Sequence, residues 1–331
     1  MTKTEQFELP ADKQRMHAKA VRLEWITIAY LLSAVTVIYL TLGSSQAMKT
    51  AWFEDLLSLV PPIAFLISSK VRDKAPTNRF RYGFHRAVSI AFLCASLALF
   101  LMGFFLLYDS IMKLLAFEHP SIGTVQPFGE PIWLGWLMIP ALLWSAIPAA
   151  IIGRRKLPYA RALHDKVLFA DAKMNKADWL TAGAAMVGVL GIGMGVWWAD
   201  AAAASFISLD ILHDGFVNLK AVVSDLLDSQ PRTVDHSQSD PLPRRVETEL
   251  EKLDWVERAS ARFREEGHVY FGEVTLVPKT DQDITARLAE ATDMLHRLDW
   301  RLHDVVLAPV PRIETPEERE RHERDAKAQK P

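Results

Sequence analysis

Cysteine and excess basic charge are both missing from this sequence. Its 331 residues include one cysteine, Cys94, which excludes a network of disulfide bonds and any zinc site built from several cysteines. The 38 Lys and Arg stand against 40 Asp and Glu, a net charge of −2, which excludes a strongly basic nucleic-acid-binding protein. With 50% hydrophobic residues and no low-complexity runs, the chain is also too apolar to be disordered.

Motifs of common enzyme classes are missing as well. The sequence has no glycine-rich phosphate loop, no Gly-x-Ser-x-Gly and no His-Glu-x-x-His. Acidic and lysine side chains between residues 171 and 178 leave an integral membrane enzyme acting on lipids as a minor alternative. Such an enzyme needs a second acidic motif at the same place, and none is found. We therefore predict that the protein is not an enzyme.

Hydrophobic residues are concentrated in six runs of roughly the 20 residues that a helix needs to cross a bilayer. The first 20 residues are polar and charged, so we expect no secretory signal peptide ahead of the first run. The composition and these runs predict an α-helical membrane protein with six transmembrane helices. They cover residues 25–43, 50–69, 87–108, 132–152, 167–198 and 201–219.

The connecting segments alternate in positive charge. Lys and Arg are concentrated before the first span, between spans two and three, and between spans four and five, while the other connections are nearly free of them. Because basic loops stay on the cytoplasmic side, we expect a multi-pass protein of the plasma (inner) membrane with both termini in the cytoplasm.

The last third of the chain predicts a second, cytoplasmic domain. Its pattern is helix, strand, strand, helix, strand, a small α+β (αββαβ, ferredoxin-like) unit that is marginal alone and is therefore expected to form a homodimer. The predicted organisation is a cytoplasmic N-terminal segment 1–22, a transmembrane domain 23–228, a linker 229–241, the α+β domain 242–311 and a charged tail 312–331.

Two spans carry polar side chains that could meet inside the bilayer. An ionisable group there costs about 2.5–3.5 kcal/mol, so each one needs a reason. Glu54 and Ser58 are four residues apart on span two, and Asp178 lies three residues after Asn175 on span five. From the ~1.5 Å rise per residue, Ser58 and Asp178 come to the same depth. We expect these groups to converge and to hold a cation or a shared proton.

Alternative interpretations of these acids are less specific. Glu54 and Asp55 could lie at the outer membrane surface, with Asp178 paired to Lys173 or Lys176. In that case no ion site forms.

Span six and the C-terminal domain carry further titratable groups. Asp210, His213 and Asp214 share one face of span six, which indicates a proton path or an auxiliary ion contact. The alternative is that span six ends early and places them at the cytoplasmic interface. Three histidines of the C-terminal domain are more typical of packing or surface residues than of a regulatory metal site: His268, His296 and His303.

Several of these motifs together resemble the cation diffusion facilitators, a family of dimeric, proton-coupled exporters of divalent metal. Span two opens on an acidic-x-x-x-Ser element, the loop before span three ends in Arg-Tyr-Gly-Phe-His-Arg (81–86), and span five carries Ala-Asp-Ala-x5-Asp-x-x-Thr (170–181). The resemblance extends over residues 20–310. It implies export by alternating access, with protons entering from outside to displace the metal.

The resemblance also implies where the metal binds. The family's four ligands form two i,i+4 pairs, which fall on Glu54 with Ser58 and on Met174 with Asp178. Ser58 stands where an acid is usual, and Met174 stands where histidine is usual. A further loop site found in some members would need ligands at Thr77, Phe80 and Phe84, whose side chains cannot replace carboxylate or imidazole, so we expect it to be absent.

Oxygen atoms dominate the resulting ligand set. The predicted metal ligands are Glu54, Ser58, Asn175 and Asp178, with Asp55 and Met174 as additional candidates. Such a set suits Mn²⁺, Fe²⁺ or Mg²⁺ better than zinc, although the ion stays open among Mn, Fe, Co, Mg and Zn. The expected partners are this divalent ion as cargo, protons, the lipid bilayer and a second copy of the chain, with no resident cofactor and no nucleic acid. The competing hypothesis is a non-transporting membrane sensor or scaffold that retains the fold.

Overall fold

The computed structural model describes residues 9–72, 74–119, 122–126, 131–235 and 237–313, except the side chains of residues 176 and 177. Most of the predicted charged tail, from residue 314 onward, lies outside the described residues. The chain divides into two compact units, one formed by Met1–Leu227 with Val234–His236 and the other by Asp228–Thr233 with Ser237–Pro331.

Long helices form the first unit. A two-stranded antiparallel hairpin, β1 (Thr124–Val125) and β2 (Ile132–Trp133), precedes the fifth helix. The helices are α1 (Ala11–Thr41), α2 (Gln46–Leu57), α3 (Val60–Arg72), α4 (Ala87–Leu115), α5 (Gly135–Ala162), α6 (Lys166–Gly193) and α7 (Ala199–Leu226). Helix α1 therefore begins inside the predicted N-terminal segment.

In the described part of this unit, four segments are long and apolar enough to cross a membrane: Ala11–Thr41, Gln46–Arg72, Ala87–Leu115 and Gly135–Ala162. The protein is therefore a multi-pass membrane protein. Helices α6 and α7 have a similar length of 28 residues each, but they carry the polar side chains discussed below.

The second apolar segment is interrupted. Helix α2 ends at Leu57 and α3 begins at Val60, directly before Pro61 and Pro62. Proline has no backbone N–H and its ring collides with the carbonyl four residues earlier, so two successive prolines favour a break in the helix at this point. The carbonyls of Leu57 and Ser58 consequently have no helical donor at positions 61 and 62.

Two glycines bring α4 and α7 into close contact. A Cβ atom added to Gly103 would lie 2.7 Å from the backbone nitrogen of Leu212, and one added to Gly215 would lie 2.6 Å from that of Phe100. Only glycine allows backbones to approach this closely. These contacts fix the part of α7 between residues 210 and 214 against its neighbours.

The second unit has the predicted order of elements. They are α8 (Leu242–Glu251), β3 (Val256–Glu266), β4 (Val269–Pro278), α9 (Ile284–Leu298) and β5 (Leu302–Pro309). The sheet order is β3-β4-β5, with β3 and β4 antiparallel and β4 and β5 parallel. Its core is formed by buried residues of both helices and the sheet, among them Val246, Leu250, Tyr270 and Leu295.

An ion pair joins the start of α8 to the start of β5. The Arg301 guanidinium donates to Asp240 Oδ2 at 2.7 Å and to Asp299 Oδ2 at 3.0 Å. Burial would raise the pKa of Asp240, but the N–H of Leu242 and the charge of Arg301 outweigh it and lower that pKa below its ordinary value. The carboxylate therefore stabilises this unit in its ionised form.

Candidate functional site

A small cavity in the helical unit is lined by four acidic side chains from three helices. Glu54 comes from α2, Asp178 from α6, and Asp210 and Asp214 from α7. Its volume is about 20 Å³, enough for one water-sized guest. The remaining lining residues are Leu57, Leu99, Met174 and Ile211.

Asp178 is the most deeply placed of these acids. Its side chain faces the cavity, the residue is only 9% exposed, and within the described part of the chain its carboxylate has no hydrogen bond or ion pair. The nearby hydroxyl of Thr181 donates to the Asp178 backbone carbonyl at 2.9 Å, not to its side chain. A buried carboxylate without a partner is costly unless a cation or a proton compensates it. The cavity is therefore the place where such a guest would bind.

Glu54 and Asp178 line the same cavity. The sequence placed them on spans two and five, and the structure brings both to one point. The alternative pairing of Asp178 with Lys173 is not observed, since Lys173 is exposed and makes no ion pair with it. The side chain of Lys176 lies outside the described residues.

Other predicted ligands lie elsewhere. Asp55 is buried, and the Ser145 hydroxyl on α5 lies 2.9 and 2.7 Å from its carboxylate oxygens. Ser58 is buried at the C-terminal end of α2 and is not among the described residues that line the cavity. Asp55, like Ser58, is not among the described residues that line the cavity with the four acids.

Asn175 is held by its own helix. Its side-chain amide donates to the backbone carbonyl and to the carboxylate of Asp171, both at 2.8 Å. Its Oδ1 is buried and has no hydrogen-bond partner among the residues that the structure describes. By contrast, Met174 does line the cavity.

The polar face of span six divides between the cavity and the exterior. Asp210 and Asp214 line the cavity, whereas His213 is exposed. Helix α7 continues to Leu226, so these residues do not mark an early helix end. The periodic spacing of the two aspartates was the signal that pointed to a shared face.

The four acids line the cavity but do not lie close enough together to form a metal site. Among the described residues, no three His, Cys, Asp or Glu side chains are close enough together to hold a metal ion. The structure therefore has an acidic pocket, not a finished coordination shell.

Sequence analysis missed the residue that anchors α2 beside α7. Asp200, fully buried in the first turn of α7, accepts from Ser45 Oγ at 2.6 Å, from the Ala47 N–H at 3.1 Å and from the N–H of Gln46. Ser45 in turn caps α2 by accepting from the Met48 N–H. A carboxylate from another helix thus satisfies the N-terminal donors of α2 and suits the positive end of its dipole.

The chain is similar to known proteins. Over 188 residues the chain is 26% identical to the manganese efflux system protein MneS of Bacillus subtilis, covering 55% of this chain and 59% of that protein. Over 186 residues it is 23% identical to the uncharacterized transporter MJ0449 of Methanocaldococcus jannaschii, covering 56% of this chain and 62% of that protein. The chain thus spans about three fifths of the length of these curated relatives.

The family comparison covers most of the helical unit. Residues 24–227, more than half of the chain, match the cation efflux transmembrane domain. This stretch contains the cavity and all four acids that line it. The protein is a member of the cation efflux family.

Proposed function

We propose that this protein exports a divalent metal cation from the cytoplasm in exchange for protons. The observation that carries the proposal is the buried carboxylate of Asp178, which has no partner among the described residues and lies in a cavity shared with Glu54, Asp210 and Asp214. Membership of the cation efflux family supports the same function. An apolar environment with four acids needs positive charge, which a divalent ion or protons supply.

Manganese is the proposed cargo. The four cavity acids offer carboxylate oxygens, which suit Mn²⁺, and none of the described lining residues supplies an imidazole or thiolate of the kind that favours zinc. The name of the Bacillus subtilis relative, a manganese efflux system protein, supports this choice. In this proposal Asp210 and Asp214 supply the oxygen ligands that the sequence assigned to Ser58 and Asn175.

Exchange follows from competition for the same oxygens. When Mn²⁺ binds, the carboxylates must be ionised; when it leaves, protons neutralise them. Alternating access exposes the cavity first to the cytoplasm and then to the exterior. The break between α2 and α3, beside the Glu54 helix, gives this segment a point at which it can bend.

The proposed arrangement in the membrane has six spans, with α6 and α7 as the fifth and sixth. Both termini lie in the cytoplasm, the membrane is the inner (plasma) membrane, and the C-terminal αββαβ unit joins two copies of the chain. Helices α6 and α7 carry three of the four acids that line the cavity.

The test uses the full chain in proteoliposomes, with Mn²⁺ uptake and internal pH recorded together. We expect Mn²⁺ flux coupled to an opposite proton flux, and loss of both in Asp178→Asn. Asp55→Asn is the matched control, because it neutralises a buried acid that accepts from Ser145 and is not among the described residues lining the cavity. Wild-type flux in Asp178→Asn would contradict the site, and absence of flux in the wild type would favour the sensor hypothesis.

A further inference from the structure

A second buried ionic cluster lies outside the cation cavity. Lys156 on α5 is fully buried, and its Nζ contacts Glu24 Oε2 on α1 at 2.9 Å and the Asp171 carboxylate on α6. Glu24 is fully buried as well. Three helices therefore meet at one ammonium group and two carboxyl groups, a combination that is expensive in an apolar environment.

The charges of this cluster do not balance. Two ionised carboxylates against one lysine leave one negative charge in excess. Asp171 is the better compensated of the two, because it contacts Lys156 and accepts from the Asn175 amide. Glu24 contacts Lys156 through Oε2 only, and its Oε1 is buried without a hydrogen-bond partner among the described residues. A proton on Glu24 removes the excess charge.

Among the described residues, Lys156 is the cation that pairs with Glu24. The charged groups that act on Glu24 most strongly are Lys156 from α5, Asp171 from α6 and Asp165 directly before α6. Two of these three are acids, so they favour a proton on Glu24. Only Lys156 opposes it, and Lys156 is shared with Asp171.

Helix α6 connects this cluster to the cation cavity. Asp171, Asn175 and Asp178 follow one another at i, i+4 and i+7, which places them on one face of the helix. Seven residues at a rise of ~1.5 Å separate Asp171 from Asp178 by about 10 Å along the axis. A movement of α6 that opens the cavity must therefore also move Asp171, one of the two acids of the ionic cluster.

We propose that Glu24 binds one of the exchanged protons, at a site separate from the cation cavity, while Lys156 and Asp171 form a permanent ion pair beside it. With Glu24 protonated the cluster is neutral and holds α1, α5 and α6 together. With Glu24 ionised, the excess charge favours separation of these helices and entry of water. The inference rests on the proposed function, since it assigns part of the proton exchange to a residue that does not bind metal.

The experiment compares proton-coupled transport with metal–metal exchange in proteoliposomes containing the full chain. Glu24→Gln keeps the shape of the side chain, fixes it in an uncharged form and leaves the Lys156–Asp171 pair intact. We expect Mn²⁺/Mn²⁺ exchange within about twofold of the wild type, while the number of protons moved per Mn²⁺ falls by about one. Asp171→Asn is a second variant with the same expected loss, because Lys156 then balances an ionised Glu24.

The matched control neutralises an acid in another ion pair of the same unit. Asp225 contacts Lys166 at 3.2 Å, and Asp225→Asn should keep the wild-type proton ratio. If both Glu24→Gln and Asp171→Asn move as many protons per Mn²⁺ as the wild type, the inference is overturned, while the proposal of Mn²⁺ export stands. Absence of Mn²⁺ exchange in the wild type would instead overturn the proposed function, and this inference with it.

Discussion

Ser145 on α5 holds Asp55 on α2, with Oγ 2.9 and 2.7 Å from the two carboxylate oxygens, while the adjacent Glu54 lines the acidic cavity. Successive helical residues point about 100° apart, so two neighbouring acids can serve two different surfaces. From the sequence alone, Glu54 and Asp55 are equivalent acids on one span. Their contacts in the structure differ: Glu54 is a candidate cation ligand, whereas Asp55 joins two helices.

This separation predicts different outcomes for two conservative variants. Glu54→Gln removes a charge from the cavity, so we expect Mn²⁺ transport in proteoliposomes to fall by about tenfold or more. Asp55→Asn still accepts a hydrogen bond from Ser145, so it should transport normally and lose roughly 1 kcal/mol of stability. Equal transport by the two variants would contradict the different placement of these side chains.

A second prediction concerns α7. Asp210→Asn and Asp214→Asn each remove one carboxylate from the cavity and should weaken Mn²⁺ binding by about tenfold, whereas His213→Ala should not, because His213 is exposed. Binding of Mn²⁺ to the purified protein, measured by calorimetry, distinguishes these cases. If His213→Ala weakens binding as much as the aspartate variants, the cavity is not the binding site.

Helical spacing predicted part of this site and could not predict the rest. The convergence of Glu54 and Asp178 follows from two antiparallel spans with acids at matching depth. The placement of Ser58 does not, because the prolines that follow it end α2 at that point. The orientation of Asn175 depends on Asp171, which binds its amide within the same helix. As metal ligands, Ser58 and Asn175 remain predictions.

The order of secondary-structure elements was easier to predict from the sequence than the contacts between side chains. The order of elements in the second unit follows from short-range periodicity, as the buried pair Val246 and Leu250 on one face of α8 illustrates. Lys156 gave no such signal, since its partners Glu24 and Asp171 are 132 and 15 residues away in the chain. Contacts between helices distant in sequence depend on packing that one sequence does not encode in any local pattern.

A third prediction concerns Met174, whose sulfur is a soft potential ligand in the cavity. Met174→His introduces an imidazole among the carboxylates, a ligand that zinc prefers more strongly than manganese does. We expect the ratio of Zn²⁺ to Mn²⁺ uptake to rise by about tenfold. Leu180→His, at an exposed position of the same helix, is the control and should leave the ratio unchanged. An unchanged ratio in Met174→His would place residue 174 away from the ion path.

A fourth prediction concerns the stability of the C-terminal unit with pH. The pKa of Asp240 is lower in the folded unit than in the unfolded chain, so its stabilising effect is present above the unfolded value of about 3.9 and disappears as the pH falls through the folded value. Asp240→Asn should therefore lower stability at neutral pH by about 1.5–3 kcal/mol. In strong acid, wild type and variant should converge.

Hydrogen–deuterium exchange of the full chain measures this effect in peptides from β4 and β5, the strands that flank the Arg301 contact. Asp281→Asn is the control, because Asp281 is exposed. A difference between wild type and Asp240→Asn that persists unchanged in acid would show that the ion pair is not its cause.

The last prediction concerns Asp200, whose carboxylate joins the start of α7 to the start of α2. It accepts from two backbone N–H groups and one hydroxyl, and an asparagine has a single acceptor oxygen and an NH₂ group that would face donors. Asp200→Asn should therefore destabilise the protein by about 1–3 kcal/mol, seen as a lower unfolding temperature in detergent. Because α2 carries Glu54 and α7 carries Asp210 and Asp214, the same variant should also raise the Mn²⁺ concentration needed for half-maximal transport. Lower stability with unchanged Mn²⁺ dependence would mean that this junction holds the helices together without setting the distance between the acids.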